Sequence, residues 1–350
     1  MADAGTGADP LVVGPYLAKA LEDPSWESPT VSLIAGGKSN LTYRVDSPAG
    51  SVILRRPPLG HVLPTAHDMA REHRVMSALA DTPVPVPAML HLCTDPAVLG
   101  QPFYVMERVE GHIVTSSMPA GYAVEPGDRR LIGEGLIDVL AALHAVQPDS
   151  VGLSEFGRPE GYLTRQVSRW GKQWNATRLD GQEALDTLAQ DLGASVPVSH
   201  RSSIVHGDYR LDNTMLHQTE PGRINAVLDW EMSTLGDPLA DLGILLVYWA
   251  QASDTATRKS GTVVPAATVL PGFPTRAEVA EGYAERTGAD ISALPWYVAF
   301  GFFKLAVVCA GIVARVRGGA MVGGGFDGYE ERIAPLVELG RATLADGALH

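Results

Sequence analysis

Apolar residues fall into two spacings along this chain. In the first third they gather in short runs, residues 31–34, 41–45 and 51–55, separated by glycine-bearing turns at 35–40 and 47–50. Runs of that length between turn residues predict strands. One helix interrupts them at residues 67–80, with Met69, Met76 and Leu79 or Ala80 inward and Glu72 on the same face. The segment Thr82-Pro-Val-Pro-Val-Pro87 is held extended by its prolines, and residues 103–109 form the last strand before Glu110-Gly111 opens a crossing. Farther on, apolar residues recur three and four apart. Leu131, Gly135, Leu136, Val139, Leu140 and Leu143 place a helix over 128–144, and Val167, Trp170 and Trp174 place another over 162–177. The pattern divides the chain into a strand-rich part, 1–109, and a helical part, 110–350. Residues 296–313 are nearly long enough for a membrane span, but Lys304 lies in the middle and Gly301 and Gly311 interrupt the run. A buried helix of the larger part is expected there.

The most informative stretch is Ile204-Val-His-Gly-Asp-Tyr-Arg-Leu-Asp-Asn-Thr-Met-Leu216, followed by Ala226-Val-Leu-Asp-Trp-Glu231. Moving a γ-phosphoryl group requires positioning and charge neutralisation: a carboxylate near the acceptor hydroxyl and oxygen ligands for Mg²⁺. Asp208, Asn213 and Asp229 supply both, since magnesium keeps several waters and takes only one or two carboxylates. The first motif reads as a strand, a loop and a strand. A polar turn over 217–223 then folds 224–228 back as a hairpin that ends at Asp229. Asp237 and Asp241 follow in Gly236-Asp-Pro-Leu-Ala-Asp241. Asp237 is expected to cap a helix and Asp241 to brace the loop from inside it. His206 is expected to orient the loop, and His144, near a helix C-terminus, to bond nearby carbonyls or another loop. Asp212 reads as solvent-facing or a turn former, and Glu231 has no assigned role.

The run His-Gly-Asp-x-x-x-x-Asn with a following Leu-Asp-Trp-Glu resembles the aminoglycoside phosphotransferase and choline kinase superfamily. Protein kinases carry His-Arg-Asp and Asp-Phe-Gly at these places. Gly207 and Trp230 stand instead, and no Ala-Pro-Glu follows. Within the superfamily the chain is similar to the kinase-like domains of certain acyl-CoA dehydrogenases, through Gly36-Gly-Lys-Ser-Asn-Leu-Thr-Tyr43, Ile53-Leu-Arg-Arg-Pro57 and Gly236-Asp-Pro-Leu-Ala-Asp241. The resemblance implies an α+β, two-lobed protein-kinase-like fold with a small antiparallel sheet and a larger, mainly helical lobe. It implies ATP and Mg²⁺ as cofactors, Asp208 as base, and Asn213 and Asp229 as metal ligands. The glycine turn supplies Gly36, Gly37, Ser39 and Asn40 to the nucleotide. Arg55 takes the place of the lysine that usually grips the phosphates, and Glu72 pairs with it. Glu107 to Val109 meet the adenine edge.

Composition narrows the partners. A net charge of −13 argues against nucleic acid and anionic membrane surfaces. Cys93 and Cys309 lie in apolar surroundings without metal-ligand spacing, which suits buried thiols in a reducing cytoplasm. The small, polar residues 1–10 do not read as a signal peptide, and the glycine-rich residues 318–325 read as a surface connection. The resemblance implies a small-molecule acceptor bearing a hydroxyl: a hydroxyacyl-CoA in the dehydrogenase-associated branch, and elsewhere in the superfamily an aminoglycoside-type antibiotic, a macrolide, choline, homoserine or a sugar. Trp170 and Trp174 are candidate substrate walls, with Arg165, Arg169, Lys172 and Arg178 as candidate cations for an acyl-CoA. Two rival readings stand beside the kinase: a catalytically silent nucleotide-binding scaffold, suggested by Arg55, and a metal-dependent phosphoesterase built on the His and Asp cluster.

Overall fold

The computed structural model of the chain describes residues 7–35, 40–58, 68–263, 266–318 and 328–350. Gly36, Gly37 and Ser39 of the expected phosphate turn lie outside them, as do 319–325 of the glycine-rich stretch. The chain forms two compact units, Met1–Gly111 with Asn225–Ser233, and His112–Ile224 with Thr234–His350.

In the first unit, helix α1 (Pro10–Ala20) starts at the Asp9 cap, and it is followed by β1 (Thr30–Ala35), β2 (Leu41–Ser47) and β3 (Gly50–Arg56). Helix α2 (Met69–Leu79), β4 (Met89–Cys93), the single turn α3 (Pro96–Leu99) and β5 (Phe103–Glu107) complete it. The sheet is antiparallel in the order β1-β2-β3-β5-β4. Side chains alternate across it. Tyr43, Val45, Leu54 and Val105 join Val13 and Leu17 of α1 in one apolar cluster. Helix α1 was not expected from the sequence; Pro10 and Pro15 both lie in it, and its apolar residues form no clean stripe. Helix α2 is capped by Asp68, whose carboxylate accepts the Arg71 N–H at 3.0 Å, and it buries Met69, Glu72, Met76 and Leu79 as the spacing predicts.

The second unit opens with α4 (Pro126–Ala145), α5 (Tyr162–Ala176) and α6 (Glu183–Ala194). On α4 the inward face carries Ile132, Leu136, Leu140 and Leu143, whereas Leu131 is 52% exposed. The expected stripe is therefore rotated by one residue at its start. Strands β6 (Ser203–Val205) and β7 (Thr214–Leu216) flank the Asp208 loop, and β8 (Ile224–Val227) carries the chain into the first unit. After β9 (Thr234–Gly236) come α7 (Leu239–Tyr248), α8 (Ala256–Ser260), α9 (Arg276–Thr287), α10 (Leu294–Arg317) and α11 (Ile333–Asp346).

Helix α10 is the axis of this unit. It packs against α5, α6, α7 and α11, and its apolar length, sufficient by composition to cross a membrane, is mostly buried inside the unit. Gly243 lets α7 approach it closely: a Cβ there would lie 2.9 Å from the Tyr297 carbonyl carbon and oxygen. Backbone cannot yield as a side-chain tip can. Gly243→Ala is expected to cost about 1–3 kcal/mol, read as a lowered midpoint in urea unfolding.

Candidate active site

Two backbone facts shape the Asp208 loop. Strand β6 pairs antiparallel with β9, Ser203 with Gly236 and Val205 with Thr234, so α7 starts beside the loop that β6 feeds. Gly207 then takes φ +85°, a left-handed conformation that glycine adopts without strain. Asp241, in the first turn of α7, is fully buried and accepts the His206 N–H at 2.6 Å and the Gly207 N–H at 2.7 Å. Its third partner is His144 Nε2 at 3.2 Å, and the other ring nitrogen of His144 meets the Tyr283 hydroxyl at 2.7 Å. Burial alone would raise the Asp241 carboxyl. His144, His206 and the Gly207 N–H outweigh that and hold it below its ordinary value.

The loop closes on itself beyond that brace. The Asp208 N–H is accepted by His206 Nδ1 at 3.2 Å. Asn213 Nδ2 donates to the Asp208 carbonyl at 2.8 Å and to its carboxylate at 3.0 Å. Arg210 Nε lies 3.2 Å from the same carboxylate, its Nη1 3.0 Å from Asp212, and its guanidinium 4.5 Å over the Tyr248 ring. Asp212 is therefore ion-paired rather than merely a turn former. With Nδ2 spent, the Asn213 carboxamide presents its oxygen, a hard donor suited to Mg²⁺. One contact was not foreseen: Lys304 Nζ, from the middle of α10, donates to the Gly207 carbonyl at 2.8 Å. Its sequence signal is the lone cation in an apolar run.

The second cluster lies wholly in the first unit. Arg55 and Tyr104 are directly opposed across β3 and β5 and so share a face of the sheet. Glu72 of α2 meets them there. The Tyr104 hydroxyl donates to Glu72 at 2.9 Å, and Arg55 Nε lies 3.4 Å from the same oxygen. The Arg55 Nη2 also pairs with Asp229. Asp229 has φ +66°, uncommon for a residue with a Cβ, while the buried Trp230 ties its indole N–H to the Val227 carbonyl at 3.0 Å. Strain of that kind is held at functional sites by surrounding structure. Asn40 is buried, and its amide donates to Glu72 at 2.9 Å and Glu231 at 3.3 Å. Its side chain therefore orders the two carboxylates. Glu107 ends β5, two residues before Val109.

Residues 30–295 match the phosphotransferase enzyme family. The chain belongs to that family. Acyl-CoA dehydrogenase family member 10 of Mus musculus is 38% identical over 281 residues, which cover 80% of this chain and 26% of that protein. Family member 11 of Rattus norvegicus is 36% identical over 289 residues, 82% and 36% of the two. The chain thus spans little more than a third, at most, of those relatives. A crystal structure of a protein described as an aminoglycoside phosphotransferase from Ralstonia eutropha JMP134 is 34% identical, with a TM-score of 0.79 over 96% of this chain and 98% of that one. A complex of aminoglycoside phosphotransferase APH(4)-Ia with ADP and hygromycin B, 15% identical with a TM-score of 0.61 over 96% and 99% of the chains, shares the fold. The fold is the α+β, protein-kinase-like one, and the chain is a phosphotransferase acting on hydroxyl groups.

Membership in the phosphotransferase family accords with what the histidines and spare aspartates do. His144 and His206 serve Asp241 and the loop, and Asp237 accepts the Leu239 N–H at 2.9 Å and the Tyr297 hydroxyl at 2.8 Å. No group of three His, Cys, Asp or Glu side chains among the described residues is arranged to hold a metal. It is the family match that decides against the phosphoesterase reading. The expected substrate wall also needs correction. Trp174 is 2% exposed and donates its indole N–H to Asp186 at 2.8 Å, so it is core between α5 and α6. Trp170 is buried too, with its ring 5.4 Å from the Lys304 ammonium. Of the candidate acyl-CoA cations, Arg165 is bonded to the Arg158 and Glu160 carbonyls and Arg178 is paired with Asp186.

Burial pushes the Glu72 carboxyl up from 4.5 to about 7, against the pull of Arg55 and the Tyr104 hydroxyl, with Asp229 and Glu231 adding to the rise. For Arg55, burial opposes the charge, but Tyr104, Glu72 and Asp229 outweigh it and the group stays ionised. A raised carboxyl favours the folded state while protonated. Its contribution is full below about 4.5 and is lost as pH rises through about 7. Urea unfolding across that window is expected to show wild type losing on the order of 3 kcal/mol relative to Glu72→Gln. Parallel pH profiles for the two proteins would contradict the assignment.

Proposed function

We propose that the chain transfers the γ-phosphoryl group of ATP to a hydroxyl of a small molecule, with Asp208 as base and Asn213 and Asp229 as ligands of Mg²⁺. The observation that carries this reading is the Asp208 loop, in which a carboxylate is aimed by Asn213 and Arg210 while its backbone is fixed from below by Asp241. In the reaction the acceptor oxygen bonds to the γ phosphorus, the bond from that phosphorus to the β-bridging oxygen breaks, and ADP leaves. The hydroxyl proton passes to the Asp208 carboxylate. Magnesium, when bound, neutralises the phosphates and holds them for displacement. An amide oxygen and a carboxylate are hard donors of the kind Mg²⁺ takes beside substrate phosphates, which supports the assignment.

Arg55 would exchange Asp229 for phosphate oxygens when the nucleotide arrives, and its planar fork suits that task. ADP in the APH(4)-Ia complex supports a nucleotide of this type, and hygromycin B in the same complex supports a small-molecule acceptor. Two acceptor classes are proposed: hydroxyacyl-CoAs, since a hydroxyl is needed and the relatives are named for acyl-CoA, and aminoglycosides, since the structural neighbours are named for them. The hydroxyacyl-CoAs come first for testing, because those relatives reach 38% identity.

Mass spectrometry of both panels after incubation with ATP and Mg²⁺ tests the reading through phosphate gain. Asp208→Asn is expected to lower turnover by about 10²–10⁴-fold with nucleotide affinity unchanged. Normal turnover in that variant would overturn the base assignment, and nucleotide binding without any product across both panels would favour the silent scaffold.

A further inference from the structure

Lys304 is the one side chain of the apolar middle of α10 that carries a charge. It is partly buried, and placing an ammonium there opposes its charge; burial lowers its proton affinity, the nearby Asp208 and Asp241 raise it, and Arg169 and Arg210 lower it again. A methionine or leucine would fill the same helix position without that cost. What the ammonium gains is specific. It donates to the Gly207 carbonyl at 2.8 Å and rests 5.4 Å from the Trp170 ring.

The Gly207 carbonyl belongs to the peptide unit that joins Gly207 to Asp208. The other polar atom of that unit, the Asp208 N–H, is held by His206 Nδ1 at 3.2 Å. This peptide plane is therefore gripped at both ends, by Lys304 on the oxygen and His206 on the N–H. Its rotation decides where the Asp208 Cα–Cβ bond points. Gly207, lacking a Cβ and sitting at φ +85°, offers little resistance of its own to such a rotation. Asp241 holds the preceding two N–H groups and leaves the Gly207–Asp208 plane to the other two residues.

We infer that Lys304 is a positioning residue of the phosphoryl-transfer reaction, fixing the peptide plane before Asp208 so that its carboxylate faces the acceptor hydroxyl. The inference rests on Asp208 as base. Lys304 acts through that peptide and does not touch substrate. A displacement of about 1 Å in a reacting group lowers turnover by about 100-fold, so the effect is expected in kcat rather than in nucleotide binding.

Lys304→Met and Lys304→Arg test this. Met keeps length and bulk while removing the donor, and Arg restores charge and donors with different reach. Hydrogen exchange of peptides covering 204–213 is expected to quicken at least about 10-fold in the Met variant, with exchange elsewhere in α4 and α10 unchanged. Its kcat is expected to fall about 10- to 100-fold with the nucleotide KM within about twofold, and Arg is expected to recover part of the loss. Wild-type exchange and wild-type kcat in the Met variant would overturn the inference, as would a lowered melting temperature with kcat intact. Should Met fail to fold, Lys304→Gln carries the same two readouts. Exchange is read without an acceptor, so absence of phosphotransfer by the wild type would count against the kinase reading and leave the loop measurement decisive.

Discussion

The Asp241 carboxylate, sealed from solvent, accepts the N–H groups of His206 and Gly207 at 2.6 and 2.7 Å. Those donors belong to a turn that leaves a strand and cannot satisfy itself, and a buried N–H without an acceptor costs about 1–3 kcal/mol. Much of the second unit is arranged to keep this carboxylate charged and in place. His144 comes from α4, steadied by Tyr283 of α9, and the β6–β9 pairing brings α7 underneath. Tyr209, next to the base, ties its hydroxyl to the Leu136 carbonyl at 2.8 Å, which anchors the loop to α4 as well. The loop is thereby pre-organised, which is how a phosphoryl-transfer site lowers its barrier when the chemistry itself is mostly positioning.

In the first unit the constraint is one cation among carboxylates. Glu72 and Asp229 both pair with Arg55, Glu231 adds its charge beside Glu72, and burial already presses Glu72 toward its neutral form. A lysine would meet such a group as a point charge, whereas the guanidinium fork reaches Glu72 with Nε and Asp229 with Nη2 at once. The departure from the usual lysine has a geometric account in that double contact. Asn40 adds a neutral donor to two of the carboxylates and softens their repulsion without a second charge.

Residue types and spacing disclosed a good part of this. Asp208 with Asn213 followed from the motif spacing, the inward Glu72 from a polar group in an apolar stripe, and the bracing role of Asp241 from its place at the start of a helix, whereas His144 meets Asp241 and Tyr283 in place of carbonyls. Strands β1, β2, β3 and β5 followed from short apolar runs set off by turns. The misses share a cause, which is that a sequence shows polarity but not the atom a side chain will be offered. Trp174 sits at the spacing of a binding wall, yet Asp186 on the next helix takes its N–H. Asp212 was expected to face solvent, but Arg210 turns back onto it. Lys304 signalled only that its helix was not a membrane span, because its partner is a backbone carbonyl, and carbonyls look alike in every residue. Helix α1 was hidden by its prolines.

Calorimetric titration with ATP, with and without Mg²⁺, on the wild type and on Asp229→Ala bears most directly on the account. A magnesium-assisted nucleotide site built on Asp229 predicts binding that Mg²⁺ strengthens and that the alanine variant weakens to the level seen without metal. Binding indifferent to Mg²⁺ and to Asp229, or no binding in either protein, would contradict it.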